Sequence, residues 1–81
     1  MNTRPQQPIR VPREVLEGIE AVRESGRTNM LDRMAVQYIA NELEYFATVI
    51  WLEDHRDDYA RGLFHGFEPV GGEPGAPGEA R

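Results

Sequence analysis

The chain has 81 residues, of which 40% are hydrophobic and 28% are charged, a balance typical of a single globular domain. Its 14 acidic and 9 basic side chains give a formal net charge of −5, which argues against non-specific binding to nucleic acid or to an anionic membrane surface. The absence of cysteine excludes disulfides, thiolate metal sites and cysteine nucleophiles.

Both ends of the chain are poor in large apolar side chains. Residues 1–10 contain two prolines and one large aliphatic residue, Ile9, and residues 68–81 contain three prolines and four glycines. Such segments bury too little apolar surface to offset the conformational entropy lost on folding. We therefore expect disordered tails at 1–10 and 68–81, and a folded domain at 11–67.

The first two helices are marked by their ends. Pro12 suits the first position of a helix, where its missing N–H costs nothing, and Gly26 ends this helix in a left-handed conformation. Asp32 is a good N-cap for a second helix. Apolar side chains recur with helical spacing through both segments, first at Val15, Leu16, Ile19 and Val22, then at Met34, Ala35, Val36, Tyr38, Ile39 and Leu43.

A third helix is expected from about Glu44 to Phe64, closed by Gly66. No glycine or proline separates it from the second helix, so the break between them is placed at residues 42–44. The sequence shows neither β-branched alternation nor an Asn-Gly turn, so no strand is expected. The predicted fold class is all-α, a small bundle of about three helices.

The N-terminal half of this third helix is apolar on every side. A helix of this kind must be covered all round, and two neighbouring helices leave part of its circumference open. We expect a second copy of the chain to cover the remainder, so that a homodimer completes the bundle. Phe46, Ile50 and Trp51 are the candidate interface residues, because large apolar and aromatic side chains dominate such contacts.

An acidic run follows directly along the same helix. Asp54 and Asp57 share the i,i+3 spacing of Glu17 and Glu20, and such pairs on facing helices resemble the magnesium ligands of all-helical nucleotide pyrophosphohydrolases. The chain is too short for the four-helix core of those enzymes, so this reading stays a minor alternative. No catalytic, cofactor or metal-binding residue is assigned, and the run is expected to contact a protein partner through Glu53, Asp54, Asp57 and Asp58.

Residues 39–52 resemble a helix-turn-helix motif. Ile39-Ala40 and Thr48-Val49 stand near the positions of its usual Ile-Ala and Thr-Val pairs, but the spacing is one residue short and Glu44 replaces the turn glycine. The second helix of the motif would offer no arginine, lysine, asparagine or glutamine to a base edge at residues 45–54. Nucleic acid is therefore not the expected partner. A DNA-binding regulator is kept as an alternative because of the resemblance at residues 39–52.

Several motifs together are similar to a family of short phage and prophage proteins known only as a domain of unknown function. The resemblance covers about residues 13–66. It rests on Glu17, Ile19, Ala21, Val22, Arg23, Ser25 and Gly26, on Thr28-Asn29-Met30-Leu31-Asp32, on Ala35-Val36-Gln37 and Ile39-Ala40-Asn41, and on Leu52-Glu53-Asp54-His55-Arg56-Asp57-Asp58-Tyr59. It implies a viral or mobile-element origin and transfers no catalytic residues.

The expected function is therefore that of a non-enzymatic, protein-binding modulator. Its partner would be a host enzyme, a defence system or the phage replication or packaging machinery. The longest apolar run, Ala47 to Leu52, is too short to span a bilayer, and the N-terminus lacks the apolar region of a secretory signal. We expect no membrane contact, no cofactor and a cytoplasmic location in an infected or lysogenic bacterium.

Overall fold

The computed structural model describes residues 7–70. Within this range the chain forms, in order, β1 (Ile9–Pro12), α1 (Arg13–Ser25), α2 (Arg33–Glu42), α3 (Phe46–Asp54), α4 (Arg56–His65) and β2 (Phe67–Val70). The fold is mainly helical, as predicted, with a short sheet added. No helix of this part of the chain is long and apolar enough to cross a membrane.

The ends of α1 and α2 confirm the signals of Gly26 and Asp32, whereas Pro12 lies one residue earlier than expected. Pro12 directly precedes α1 and does not occupy its first position. Gly26 follows α1 with a φ of 66°, the left-handed conformation that glycine adopts without steric cost. The carboxylate of Asp32 accepts a hydrogen bond of 3.1 Å from the backbone N–H of Ala35. This bond satisfies one of the unpaired N–H groups in the first turn of α2.

The predicted third helix is in fact two helices, α3 and α4, that meet at one residue. His55 has a φ of −132° and a ψ of 53°, outside the helical region, and it both ends α3 and precedes α4. Asp57 and Asp58 lie in the first turn of α4, where the helix dipole favours negative charge. A new helix therefore begins within the acidic run, although no glycine or proline marks this position in the sequence.

The expectation that strands are absent is wrong. β1 and β2 pair in parallel, with Ile9 opposite Phe67 and Pro12 opposite Val70. The sequence assigns residues 9–10 and 68–70 to the tails, whereas the structure places them in this sheet. The remaining tail residues, 1–6 and 71–81, lie outside the described residues.

The prolines of the two strands do not interrupt the ladder. The N–H of Ile9 donates to the carbonyl of Gly66 at 2.9 Å. In a parallel pair with this register, the N–H groups that point towards the partner strand are those of Ile9, Val11, Glu68 and Val70. Pro12 and Pro69 therefore occupy positions whose N–H would point outward. Each edge of the sheet consequently lacks a donor at its proline, which reduces pairing with a further strand.

The core lies where α1, α2, α3 and the sheet converge. Gly18 of α1 and Thr48 of α3 are both buried where these two helices come close together. The Thr48 hydroxyl donates to the carbonyl of Val15 at 3.1 Å. Because this bond satisfies the hydroxyl, a buried threonine is accommodated in an apolar environment. The buried apolar residues around it are Val11, Val15, Ile19, Val22, Val36, Ile39, Ala40, Trp51, Leu52 and Tyr59.

Candidate functional site

Four large apolar side chains are exposed on two helices that pack against each other. Met34 and Tyr38, one turn apart on α2, are 71% and 62% exposed, and Phe46 and Ile50, one turn apart on α3, are 55% and 64% exposed. We call these four residues the two-helix face. Clusters of exposed large apolar residues are uncommon on monomeric proteins and are typical of surfaces that bind other molecules.

A groove of about 520 Å³ runs between the two helices at this face. Half-buried Val49 lines it together with Met34 and Tyr38, so the groove is partly apolar. Its polar lining comes from Arg33, Gln37, Asn41, Glu53 and Arg56.

Hydrogen bonds fix one end of the groove. The guanidinium of Arg33 donates to the side-chain oxygen of Gln37, whose amide nitrogen donates to Glu53 at 3.0 Å. Arg56 of α4 donates to the other oxygen of Glu53, also at 3.0 Å. The Gln37 amide and then the Arg56 guanidinium hold the pKa of Glu53 below its ordinary value. This chain of bonds joins α2, α3 and α4 with the carboxylate held in its ionised form.

The other end of α2 carries a second polar cluster. Arg27 forms an ion pair with Glu42, and the Tyr38 hydroxyl also bonds to Glu42. The bonds from Arg27 and then from Tyr38 lower the pKa of Glu42, and the same bond to Glu42 raises the pKa of Tyr38. Tyr38 is thus oriented by its hydroxyl while its ring stays exposed on the two-helix face.

The four predicted acidic residues lie where α3 meets α4, and we call them the acidic junction. Glu53 and Asp58 form ion pairs with Arg56 and Arg61, respectively, each at i,i+3 spacing. The other two, Asp54 and Asp57, have no ion pair with any residue in 7–70. Half of the acidic charge of the junction is therefore neutralised locally, and half is free to attract a basic group.

The structure does not place Trp51 with the other predicted interface residues. Trp51 is only 8% exposed, its ring stacks on His55 at 4.8 Å, and it meets Phe67 edge-on at 6.4 Å. The assignment of Trp51 as an interface anchor is corrected accordingly, because strand β2 and the helix break supply the cover that the sequence attributes to a second chain. Phe46 and Ile50, in contrast, remain exposed.

Met34 and Tyr38 are two surface residues that sequence reasoning missed, because they belong to the apolar helical pattern of the second helix. The signal was present nonetheless. The apolar residues of the second helix lie on more than one of its faces, and a domain this small cannot cover all of them. These apolar residues are Met34, Ala35, Val36, Tyr38, Ile39 and Leu43.

The segment from α2 to α3 consists of two helices joined by a short turn. Glu44, at the position of the turn glycine, has a φ of 70°, the one positive φ of a non-glycine residue between positions 7 and 70. The N–H of Tyr45 donates to the carbonyl of Ala40 at 2.8 Å and closes the turn. The exposed side of α3, however, presents Phe46 and Ile50, and the acidic junction follows at its C-terminal end.

Within residues 7–70 no three His, Asp or Glu side chains are grouped so that they could hold a metal ion, so the Asp54–Asp57 and Glu17–Glu20 pairs gain no support as ligands. The hydroxyl of Ser25 donates to the carbonyl of Val22 at 2.6 Å, which is a local helix-end contact.

Comparison with known proteins gives one family. The family model described as a domain of unknown function (DUF5049) matches residues 12–66, more than half of the chain. No curated protein and no solved structure matches the sequence. The match confirms the expected relationship to a family of unknown function, whereas the phage association stays a prediction.

Proposed function

For a chain that belongs to the DUF5049 family, a domain of unknown function, we propose the role of a non-enzymatic binding protein that modulates another protein. The observation that carries this proposal is the two-helix face. Its four large apolar side chains stay exposed although the domain buries ten other apolar residues in its core. Covering such side chains is worth about 25 cal/mol per Å² of apolar surface, so the face gains free energy by binding.

The acidic junction adds a charged rim to this apolar centre. Glu53 belongs both to the junction and to the groove lining. Interfaces with an apolar centre and a polar rim are typical of protein–protein contacts. For a phage-encoded protein the partner would be a host enzyme, a defence protein or a component of replication or packaging, and a homodimer would cover the face with a second copy.

The test is capture of partners by tagged protein after cross-linking, compared between matched variants. Ile50→Asp alters the two-helix face, and Phe64→Asp alters a phenylalanine on α4 that is at least as exposed and is not part of the face. We expect wild type and Phe64→Asp to retain the same protein in a fixed ratio, and Ile50→Asp to lose it. Equal retention by all three proteins would contradict the proposal.

A DNA-binding regulator is the second candidate, supported by the turn geometry at Glu44. Duplex binding would depend on the arginines beside the motif, Arg56 and Arg61, and would weaken steeply with salt. Fluorescence anisotropy of a labelled duplex at about 50 mM salt tests this candidate, since nearly all non-specific binding is electrostatic. Binding that is lost in Arg56→Ala would favour the regulator over the modulator.

A further inference from the structure

We propose that the two-helix face seats the same face of a second copy of this chain, with Ile50 of each chain in the groove of the other. The proposal rests on the proposed function in one respect, that this face binds protein. The shape of the face suggests the arrangement. Phe46 and Ile50 form a ridge on α3, and the adjacent groove between α2 and α3 is lined by Met34, Tyr38 and Val49. A ridge beside a groove is self-complementary when the two chains are related by a two-fold axis.

The exposed area is of the size that such a dimer needs. A large apolar or aromatic side chain has roughly 150–250 Å² of surface. At the exposed fractions of the two-helix face, four such side chains offer roughly 380–630 Å² per chain, and two chains offer roughly 760–1,260 Å² before the polar rim is counted, a range that includes the ~1,000 Å² of a specific interface.

Charge permits a second copy at this place. The chain has a net charge of −5, so two copies repel each other over most of their surface. The groove lining contains Arg33 and Arg56 but only one carboxylate, Glu53, which is paired with Arg56. In the proposed arrangement the uncharged ridge of the second copy enters this lining, so the contact at Ile50 does not bring two like charges together.

The test uses two substitutions on opposite sides of the proposed contact. Met34→Arg changes the groove and Ile50→Asp changes the ridge. Sedimentation velocity from about 1 to 100 μM spans the range of a micromolar dimer. We expect wild type and the control Phe64→Asp to dimerise, and each of the two face variants to lose at least about tenfold in dimer affinity.

Mixing the two variants gives the decisive result. In a mixed dimer the introduced arginine meets the introduced aspartate at one contact, while the other contact keeps the original isoleucine and methionine. The mixture should therefore dimerise more strongly than either variant alone. Circular dichroism and the fluorescence of Trp51, which is buried in each chain, report whether each variant is folded.

Each contrary outcome has a separate meaning. A monomeric wild type at about 100 μM, where even a weak dimer would be populated, overturns the second copy as occupant. If Ile50→Asp then still loses a captured protein, the proposed function stands. If both variants still dimerise, the two-helix face is not the dimer interface. If the mixture of the two variants stays monomeric, the ridge-in-groove arrangement is wrong.

Discussion

Gly18 and Thr48 face each other where α1 crosses α3, and no room is left between them for a side chain on Gly18. A Cβ atom built there would overlap the Thr48 side chain and the Cβ of Tyr45. The hydroxyl of Thr48 is fixed in turn by the carbonyl of Val15. The absence of a side chain at position 18 thus sets how closely the first and third helices approach.

Gly18→Ala should therefore destabilise the protein, although alanine is the better helix former by about 1 kcal/mol. Overlap in a packed core costs about 1–3 kcal/mol and outweighs that gain. Urea unfolding followed by Trp51 fluorescence measures the difference, and Glu20→Ala, at an exposed position of the same helix, serves as control. A Gly18→Ala protein as stable as wild type would show that α1 and α3 are not in tight contact.

Tyr59 gives a prediction for alkaline pH. Burial raises the pKa of its hydroxyl from 10.0 to about 12, and the hydroxyl donates to the carbonyl of Met30. Because the folded-state pKa lies above the unfolded value, this contribution to stability is complete below about pH 10 and is lost as the pH rises towards 12.

Tyr59→Phe should lower the free energy of unfolding by about 1 kcal/mol at neutral pH, since one hydrogen bond is lost. It should also reduce the fall in stability between about pH 10 and 12, because one titrating group is removed. Denaturation curves of both proteins at several pH values measure these differences. An identical alkaline fall in the two proteins would contradict the role given to this hydroxyl.

Glu44 offers a stabilising substitution. Its φ of 70° lies in the left-handed region, which costs a residue with a side chain about 1–2 kcal/mol relative to the right-handed helix. We expect Glu44→Gly to raise the free energy of unfolding by about 1 kcal/mol, after the larger entropy loss of glycine is counted. Thermal unfolding of Glu44→Gly is compared with that of Glu44→Ala, which also lacks the carboxylate. Only the glycine variant should be more stable than wild type, because only glycine relieves the backbone conformation.

The ladder of the small sheet can be tested with prolines. The register assigns the N–H of Glu68 to the carbonyl of Ile9, whereas position 69 already lacks an N–H. Glu68→Pro should destabilise the protein by about 1 kcal/mol or more, while Pro69→Ala leaves every ladder bond in place. Equal stability of the two variants would show that β1 and β2 do not pair in solution as described.

The sequence predicted those parts of the fold that local chemistry determines. Asp32 and Gly26 mark helix ends through their own side chain or lack of one, and both predictions are confirmed. The break at His55 was missed because its cause is a backbone change with no glycine or proline. The strands were missed because four residues around a proline carry no periodicity, and their pairing joins positions nearly sixty residues apart.

The same limit applies to the candidate site. Phe46 and Ile50 could be predicted as exposed because the third helix is apolar all round, but the sequence could not say which apolar side chains the rest of the chain would cover. Phe67, in a strand that was not expected, contacts the ring of Trp51 and contributes to its burial together with His55. Met34 and Tyr38 became surface residues for the complementary reason, since no element within residues 7–70 packs over that side of α2.

The parallel pairing of β1 with β2 has a mechanical consequence. The chain enters β1 at Ile9, opposite Phe67, and leaves β2 at Val70, opposite Pro12, so the two ends depart from opposite ends of the same strand pair. A pulling force applied between the termini therefore acts along the strands, in shear. All the hydrogen bonds between them are loaded together, and the four helices enclosed by the two strands are shielded from tension until that pair gives way.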